Sequence, residues 1–269
     1  MKIALIQQHA SVDRETNVQR GVLALEQAAG RGARLAVFPE LAFLRFFPQR
    51  RRNEQPPPMA EPVPGPTTEV FCKLARKHGI VIVLNLYEKD GDRTYDSSPV
   101  IDADGKLAGI TRMIHIIEGP CFHETDFYDP GNHGATVFQT SIGRLGVAIC
   151  YDRHFPEYMR ALGVKGADVV VVPQAGSVGE WPGGIFEAEL QVAGFQSGYF
   201  AALANRVGAE ECLTFAGESF VTDPFGRVIA RAPAGEDCTL YADLDLSLLE
   251  QCPARRHFIS DRRPDIYPL

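Results

Sequence analysis

The stretch RLGVAICYDRHFPE, residues 144–157, places a cysteine where an apolar strand gives way to a polar turn and then to a proline. The run Val147–Ile149 is typical of a buried strand. Free cysteine is among the most buried residue types, so Cys150 alone would be interpreted as a core residue. Its position at a strand end favours a second interpretation, because functional groups of α/β proteins collect at the carboxyl ends of strands.

The sequence around this stretch alternates predicted strands and helices. Strands are predicted over KIALIQQ, RLAVFPE, IVIVLNLYE and DVVVVPQ, and hairpins over TYDSSPVID with KLAGITRMIHI, ATVFQT with RLGVAIC, and FAGESFVTDPFGRVIARA. Helices are predicted over residues 14–30, 67–78, the stretch after Pro156, and roughly 183–199. Many strands interleaved with several helices favour two sheets that are each faced by helices.

Composition and charge exclude several classes of protein. The chain has 269 residues with 45% hydrophobic and 23% charged residues, which is ordinary for one globular α/β domain spanning 1–269. The net charge of −7 argues against nucleic acid or an anionic membrane as a partner. The opening MKIALIQQ is too short and too quickly polar for a signal peptide, and no stretch approaches membrane-spanning length. We therefore expect a cytoplasmic protein.

The cysteine pattern predicts thiols without a metal site. The six cysteines lack any C-x-x-C pair; they are Cys72, Cys121, Cys150, Cys212, Cys238 and Cys252. In a reducing compartment, such scattered cysteines are expected to be free thiols rather than disulfides or zinc ligands. We therefore expect no metal and no cofactor.

Three predicted strands end in residues that could carry chemistry. Glu40 follows AVFP, Cys150 follows GVAI, and Gln174 ends VVVVPQ. A cysteine nucleophile needs a base or a lowered pKa, because the thiolate is the reactive form. Glu40 and His154 are both candidates for that base, and their spacing from Cys150 in the sequence does not choose between them.

The motifs FPELAF, GVAICYDRHFPEYMRAL, ANRVG and FAGESFVTDPFGRVIA, with the opening KIALIQQ, resemble the nitrilase superfamily of carbon–nitrogen hydrolases. The resembling blocks span residues 1 to about 245. The resemblance implies a four-layer α-β-β-α sandwich with a Glu-Lys-Cys triad and often a second glutamate in the pocket. It also implies a homodimer or larger oligomer, with the tail of about 253–269 at the interface.

Carried over residue by residue, the resemblance makes Glu40 the general base and Cys150 the nucleophile, with the Tyr151 N–H as an oxyanion donor. The segment GITRMIHIIEGPCFHETDFYDPG matches the family's next motif without a gap and makes Glu124 the second glutamate. We expect Glu40, Glu124 and Cys150 to converge in one pocket.

The same register places Met113 at the position of the family's lysine. Arg112 is adjacent, but neighbouring side chains in a strand point to opposite faces, so it cannot replace the lysine unless the strand twists or bulges. Two hypotheses follow. The chain is a cysteine hydrolase of an aliphatic amide or N-carbamoyl amine, with activity that the lost lysine could reduce, or it is a pseudoenzyme that binds a small ligand.

Further residues are candidates for binding a small-molecule amide or carbamoyl substrate. They are Arg112, His115, His154, Gln174 and Trp181. The segment 45–65 is rich in proline and arginine and is too long for an ordinary connection, so it is predicted to be either a functional lid or a mobile excursion.

Overall fold

The computed structural model describes residues 1–267 of the chain. The strands in chain order are β1 (Lys2–Gln7), β2 (Leu35–Val37), β3 (Val81–Val83), β4 (Leu86–Asp90), β5 (Arg93–Ile101), β6 (Leu107–Arg112), β7 (Glu118–Gly119), β8 (Phe122–His123), β9 (Val137–Thr140), β10 (Gly143–Val147), β11 (Val169–Gln174), β12 (Phe200–Asn205), β13 (Val207–Ala209), β14 (Thr214–Ala216), β15 (Phe220–Thr222), β16 (Val228–Arg231) and β17 (Cys238–Asp243). The α-helices are α1 (Arg14–Gly30), α2 (Pro66–His78), α3 (Pro156–Val164), α4 (Ile185–Ser197) and α5 (Leu248–Gln251). Short 3₁₀ helices lie at Phe47–Gln49, Glu124–Asp126 and Cys150–His154, and a π-helical turn lies at Ala254–Phe258.

The strands form two large sheets, each built around three parallel strands. The first sheet has the order β17-β1-β2-β3-β5-β4, with β6 also paired to β5. The second has the order β16-β15-β12-β11-β10-β9. The neighbours β1, β2 and β3 are parallel, as are β10, β11 and β12. The carboxyl ends of β2 and β10 therefore deliver Glu40 and Cys150 from different sheets.

Alternation along the strands explains why the sheets stack. In β1, Ile3 and Leu5 belong to the core between the two sheets, whereas Ala4 and Ile6 pack against α1 and α2 on the outer face. The second sheet follows the same rule, since odd-numbered valines of β11 face the central core and even-numbered valines pack on α3 and α4. Because side chains alternate between the two faces of each strand, each sheet packs against the other sheet on one face and against helices on the opposite face. The predicted four-layer α-β-β-α sandwich is confirmed.

Three helix ends lie at residues that commonly cap helices, an aspartate at the start of α1 and glycines at the ends of α2 and α4. The Asp13 side chain accepts a hydrogen bond from the Thr16 backbone N–H and caps α1. Gly79 ends α2 with a φ of 63°, and Gly198 ends α4 with a φ of 76°, conformations that glycine adopts without strain. The helices predicted over 14–30 and 67–78 are confirmed to within one residue.

The apolar run IVIVLNLYE is divided into two strands, β3 and β4, by Asn85. The Asn85 carboxamide is buried, accepts a hydrogen bond from the Leu41 N–H at 2.7 Å and donates one to the Asp96 carboxyl at 2.5 Å. The polar residue in the middle of this run therefore connects the segment after Glu40 to β5.

The segment 45–65 lies over the loops beyond the sheets. Its base is anchored by Phe46 and Phe47, which are buried in the central core. Arg51 forms ion pairs with Glu118 at 2.7 Å and Asp126 at 3.3 Å. The segment is therefore tied at its start to the core and through Arg51 to the loop that carries Glu118 and Asp126, while residues 50–54 and Met59 are exposed to solvent.

The C-terminal segment begins by packing on its own chain. Arg255 donates hydrogen bonds to the carbonyls of Gly198 and Ala167, and Phe258 packs edge-on against Phe195 of α4. Residues 268 and 269, the end of the predicted interface tail, lie outside the described residues. None of the helices in residues 1–267 combines the length and apolarity needed to cross a membrane.

Arg206, just beyond β12, ties the second sheet to the segment that carries Glu40. Its buried guanidinium donates hydrogen bonds to the carbonyls of Glu40 at 2.9 Å, Leu41 at 2.7 Å and Leu44 at 2.9 Å. It also pairs with Glu210 at 2.6 Å. One side chain therefore satisfies three buried backbone carbonyls and one carboxylate.

Replacing Arg206 by methionine should destabilise the fold, because it leaves Glu210 and three carbonyls without their donor. We expect a loss of about 3–5 kcal/mol of unfolding free energy in urea titrations. Arg227→Met is the matched control, since Arg227 forms an i,i+4 ion pair with Asp223 but its side chain is 65% exposed. The control should lose less than about 1 kcal/mol. Equal losses for the two variants would contradict the assigned role.

Candidate active site

Cys150 lies at the start of the 3₁₀ helix Cys150–His154, three residues beyond the end of β10. Its φ of 42° is in the left-handed region, which non-glycine residues rarely adopt. The side chain is only 5% exposed. Such local strain persists only where surrounding contacts maintain it, and it concentrates at functional sites.

Arg153 supplies one of those contacts. Its buried guanidinium donates hydrogen bonds to the Cys150 carbonyl at 3.0 Å and to the Gln174 Oε1 at 2.8 Å. It stacks over the Phe186 ring and forms an ion pair with Glu189 at 3.3 Å. Arg153 therefore holds the backbone of the cysteine turn through the Cys150 carbonyl.

Glu40 follows β2 and is fully buried beside the Cys150 thiol. The next residue, Leu41, has a φ of 45°, so the backbone is strained here as well. Neither Glu40 carboxyl oxygen has a hydrogen-bond partner. Burial, together with the nearby Glu124 carboxyl, raises the pKa of Glu40 to about 8, even though Cys150 lowers it in part.

Glu124 is also fully buried, in the 3₁₀ helix Glu124–Asp126. Its Oε2 accepts a long hydrogen bond of 3.4 Å from the Ile117 N–H, and its Oε1 has no partner. Burial and then the Asp96 carboxyl raise the pKa of Glu124 well above its ordinary value. The structure therefore brings Glu40, Glu124 and Cys150 together, the three residues that the sequence motifs select.

Asp96, in β5, is a further member of this group that sequence analysis missed. Its carboxyl is fully buried beside Glu40, and only its Oδ1 has a partner, Asn85. Burial and the Glu40 charge raise the pKa of Asp96 well above its ordinary value. No motif identifies this residue, because its relevance arises only from the pairing of β5 beside β3 and β4.

Met113 lies directly beyond β6 and is fully buried in the same core cluster as Cys150. Its N–H donates to the Asp96 carbonyl at 2.9 Å, and its carbonyl accepts from the Gly131 N–H at 2.8 Å. The backbone is thus fixed on both sides. The position that the motif register assigns to a lysine presents a thioether to the interior.

The Cys150 thiol lies mainly among acidic side chains. Burial, followed by Glu40 and Glu124, raises the pKa of Cys150 well above its ordinary value, and Arg153 opposes this rise. Arg153 lowers the pKa of Cys150 and Arg206 lowers that of Glu40, and each guanidinium also bonds to backbone carbonyls and to a second side chain, Gln174 and Glu210 respectively.

Asp152 connects the cysteine turn to the Met113 segment and was also missed as a functional residue. Its buried carboxylate accepts hydrogen bonds from the N–H groups of Ile114 at 3.2 Å and His115 at 3.0 Å. It also contacts His115 Nδ1 at 2.7 Å. The aspartate of the CYD motif therefore holds two segments of the site in register.

The candidate substrate-binding residues mostly have partners within the chain. Arg112 pairs with Glu88 at 2.6 Å and Asp90 at 2.8 Å, so its guanidinium is engaged on the face of β6 opposite to Met113. His115 binds Asp152 and stacks on the Phe155 ring with a centroid distance of 3.5 Å. These contacts give Arg112 and His115 structural positions.

The remaining candidates lie on the cysteine side of the second sheet. His154 contacts Glu189 at 2.5 Å, and its ring lies 4.9 Å from that of Trp181. The Gln174 Oε1 accepts from Arg153, and its Nε2 is buried without a partner. Tyr151 occupies the second position of the 3₁₀ helix Cys150–His154, and its ring packs edge-on against His154.

One expectation about the cysteines is wrong. Cys121 and Cys212 form a disulfide, whereas Cys72, Cys150, Cys238 and Cys252 are free. The bond joins the loop between β7 and β8 to the turn of the β13–β14 hairpin, two segments 91 residues apart in sequence. Spacing along the chain gave no signal for this pair, because two hairpins that are distant in sequence bring the cysteines together.

Comparisons with known proteins agree with this architecture. A profile of the family described as carbon-nitrogen hydrolase matches residues 2–254. A citrullinase of Francisella tularensis is 31% identical, with 99% of this chain and 96% of that protein covered. An N-carbamoylputrescine amidase of Arabidopsis thaliana is 32% identical, with 99% of this chain and 94% of that protein covered.

Two solved structures extend the likeness to three dimensions. A carbon-nitrogen hydrolase from Helicobacter pylori G27 has a TM-score of 0.87 at 28% identity, covering 99% of this chain and 97% of that one. An amidase from Nesterenkonia sp. AN1 has a TM-score of 0.82 at 25% identity, covering 99% of this chain and 98% of that one. In that amidase structure, acrylamide has added to the active-site cysteine.

The raised pKa of Glu40 predicts how stability depends on pH. The folded protein keeps this proton up to about pH 8, whereas the unfolded chain releases it near its ordinary pKa, so stability present at low pH is lost as pH rises to 8. We expect Glu40→Gln to make this fall shallower, by up to about 1.4 kcal/mol per pH unit. Urea unfolding between pH 5 and 8 measures the effect.

Glu250→Gln, at an exposed glutamate of α5, serves as the control for the pH experiment and should follow the wild type. If the Glu40→Gln curve runs parallel to the wild-type curve, the buried carboxyl does not hold the proton assigned to it.

Proposed function

The chain belongs to the carbon–nitrogen hydrolase family, and from that premise we propose that it hydrolyses a non-peptide C–N bond of a small molecule, with Cys150 as nucleophile and Glu40 as base. The observation that carries this proposal is the Glu40 carboxyl, buried and without a hydrogen-bond partner, beside the Cys150 thiol. Two elements from different sheets deliver these groups, and a buried arginine maintains the backbone of each.

The proposed mechanism uses the pair twice. Glu40 in its ionised form takes the thiol proton, the sulfur attacks the electrophilic carbon, and the departing nitrogen receives the proton from Glu40. Glu40 then takes a proton from water as the water oxygen bonds to the thioester carbon, and it returns that proton to the sulfur as the C–S bond breaks and Cys150 is released. Glu124 serves as the second carboxylate of the pocket, and the Tyr151 N–H is the proposed donor to the oxyanion.

The substrates that we propose first are aliphatic amides and N-carbamoyl amines. The citrullinase and the N-carbamoylputrescine amidase resemble this chain along nearly its whole length, which supports a ureido or amide group at the scissile bond. Gln174 and His154 each have a buried Nε2 without a hydrogen-bond partner and are the candidates among the predicted binding residues to contact the substrate. His154 and Trp181 remain proposed contacts at the mouth of the site.

A second candidate function is supported by Met113. A site that presents a thioether where the motif register assigns a lysine has one cation fewer to stabilise an oxyanion. Removal of one oxyanion donor typically reduces kcat by about 10²–10³. A pseudoenzyme that binds a small amide-like ligand would have the same pocket without turnover.

Two substitutions separate the hydrolase from the pseudoenzyme. We expect Cys150→Ala to abolish ammonia release from acetamide, N-carbamoylputrescine and citrulline. We expect Met113→Lys to raise kcat for acetamide about 10-fold or more, because Glu40 and Glu124 would keep the new lysine charged beside the developing oxyanion. Steady-state kinetics measure both effects. Activity that survives Cys150→Ala would refute the proposed nucleophile.

We also propose that the chain forms a homodimer or a larger homo-oligomer. Several apolar side chains of the second helical layer and the tail are exposed. They are Val164, Val192, Phe195, Phe258, Ile266 and Tyr267. Apolar patches of this kind on a folded domain mark surfaces that another chain covers.

Light scattering measures the proposed assembly directly. The monomer has a mass of 29.5 kDa, and we expect at least twice that mass in dilute solution. Val192→Glu, in the exposed part of α4, should shift the population toward monomer, whereas Leu23→Glu in the equally exposed part of α1 should not. A wild-type monomer would contradict the proposal.

A further inference from the structure

The carboxyl of Asp96 lies against the carboxyl of Glu40, and both residues are fully buried. Both carboxyl oxygens of Glu40 and the Oδ2 of Asp96 have no hydrogen-bond partner in residues 1–267. Two ionised carboxylates only accept hydrogen bonds, so they cannot satisfy each other. One proton on the pair removes this conflict, because a protonated carboxyl donates a hydrogen bond and carries no charge.

Asn85 determines which oxygen of Asp96 can carry such a proton. The backbone N–H of Leu41 donates to the Asn85 Oδ1 at 2.7 Å, which fixes the orientation of the carboxamide. The Asn85 Nδ2 therefore faces Asp96 and donates to its Oδ1 at 2.5 Å. Since Oδ1 is used as an acceptor, a proton on Asp96 belongs on Oδ2, the oxygen that has no other partner.

Apart from the Cys150 thiol, the other groups near Glu40 do not donate to its carboxyl. The Tyr128 hydroxyl is buried in the same region without any hydrogen-bond partner. The Arg206 guanidinium bonds to the Glu40 carbonyl and to the Glu210 carboxylate. The Met113 thioether has no hydrogen to donate, and its backbone N–H is used by the Asp96 carbonyl. The Asp96 carboxyl is therefore the neighbour that can supply an O–H.

We propose that Asp96 keeps its proton while Glu40 gains and loses its own, and that Asp96 donates this hydrogen from Oδ2 to the Glu40 carboxylate. Asp96 is then a positioning residue for the base. This inference rests on the proposed function, because it concerns the base of that reaction. A hydrogen bond to the ionised form of a group favours that form, so Asp96 makes Glu40 available as a base at a lower pH than burial alone would allow.

The pKa shifts agree with this assignment. Burial and then the Glu40 charge raise the pKa of Asp96 well above its ordinary value, which is the direction that a retained proton requires. Burial and then Glu124 raise the pKa of Glu40 to about 8, and the hydrogen bond from Asp96 lowers it in part. The ionisable groups that face this pair from neighbouring elements are Glu124, Tyr128, Cys150, Asp152 and Arg206.

The Asp96 proton stays in place through the proposed reaction. At the start, the ionised Glu40 has the Cys150 thiol on one side and the Asp96 O–H on the other. When the thiol proton moves to Glu40, the carboxyl pair holds two protons and no charge, and the sulfur bonds to the substrate carbon. Glu40 gives that same proton to the departing nitrogen and is ionised again. Water repeats the exchange, so Asp96 neither gains nor loses a proton.

Two substitutions at Asp96 distinguish a hydrogen-bond donor from a charge. Asp96→Asn keeps both hydrogen bonds, since the new Oδ1 can accept from Asn85 and the new Nδ2 can donate to Glu40. Asp96→Ala removes the donor. The measurement is kcat/KM between about pH 5 and 10, as ammonia release from whichever of acetamide, N-carbamoylputrescine and citrulline reacts fastest. Its acid limb reports the ionisation of Glu40 in the free enzyme.

We expect Asp96→Asn to leave the acid limb in place and to keep kcat/KM within about threefold of the wild type. Asp96→Ala should move the acid limb up by about 1–2 pH units, the size of one hydrogen bond to a charged group. At pH 7, kcat/KM of this variant should therefore fall by about 10–100-fold, with a smaller loss at higher pH. A purely structural defect would lower activity equally at every pH.

Ser98→Ala is the matched control. Ser98 is fully buried in the same strand as Asp96, and its Oγ accepts a hydrogen bond from the Asn85 Nδ2 at 3.2 Å. The variant therefore removes a partner of Asn85 without removing the donor to Glu40. It should keep the acid limb of the wild type.

Infrared spectra of the wild type and Asp96→Asn at pH 9 locate the proton without turnover and without the alanine variant. Above its pKa of about 8, Glu40 is mostly ionised at this pH. We expect the C=O band of one protonated carboxyl to be present in the wild type and missing from Asp96→Asn.

Three results would overturn the inference: no such band in the wild type, an acid limb at lower pH in Asp96→Asn, or an unshifted acid limb in folded Asp96→Ala. The second result would mean that Asp96 is ionised beside Glu40. If no substrate is hydrolysed in a way that depends on Cys150, the proposed function fails instead, and the infrared band alone then decides where the proton lies.

Discussion

The geometry of the site depends on two buried arginines that bind backbone carbonyls. Arg206 binds the carbonyls of Glu40 and Leu41, and Arg153 binds the carbonyl of Cys150. Leu41 and Cys150 both have a positive φ, which costs free energy in a non-glycine residue. The charge-assisted hydrogen bonds of the arginines offset this cost and leave the carboxyl and the thiol facing one another.

This use of the arginines explains the character of the pocket. Arg206 and Arg153 lower the pKa values of Glu40 and Cys150, but burial has the larger effect on both groups. Glu40, Asp96 and Glu124 therefore share an environment in which burial and mutual repulsion dominate, and the pKa of each rises.

The sequence predicts the fold well because residues in the strands of both large sheets alternate between the inner and the outer face. In β1 the inner face is defined by Ile3 and Leu5 and the outer face by Ala4 and Ile6. Helix α1 begins after the capping residue Asp13 and ends at Gly30. The motifs also select Glu40, Glu124 and Cys150. Their convergence depends on β2 and β10 ending close together in space, which the resemblance to a family supplies and hydrophobic periodicity alone does not.

The residues that sequence analysis missed act across long separations in the chain. Asp96 matters because β5 pairs beside the strand after Glu40, and Asp152 because it joins two segments that are 37 residues apart. The Cys121–Cys212 disulfide likewise joins loops from different sheets. Local patterns carry no information about such contacts, because each requires the tertiary arrangement to exist first.

The segment 45–65 is held by different forces at Phe46 and Phe47 and at Arg51. Phe46 and Phe47 hold the start of the segment through apolar burial, which salt does not weaken. At Arg51 the segment is held by partly exposed ion pairs with Glu118 and Asp126. Dissolved salt screens such pairs, because the Debye length is about 8 Å at physiological ionic strength. Added salt therefore weakens the Arg51 ion pairs and leaves the burial of Phe46 and Phe47 intact, so the two attachments of this segment respond differently to ionic strength.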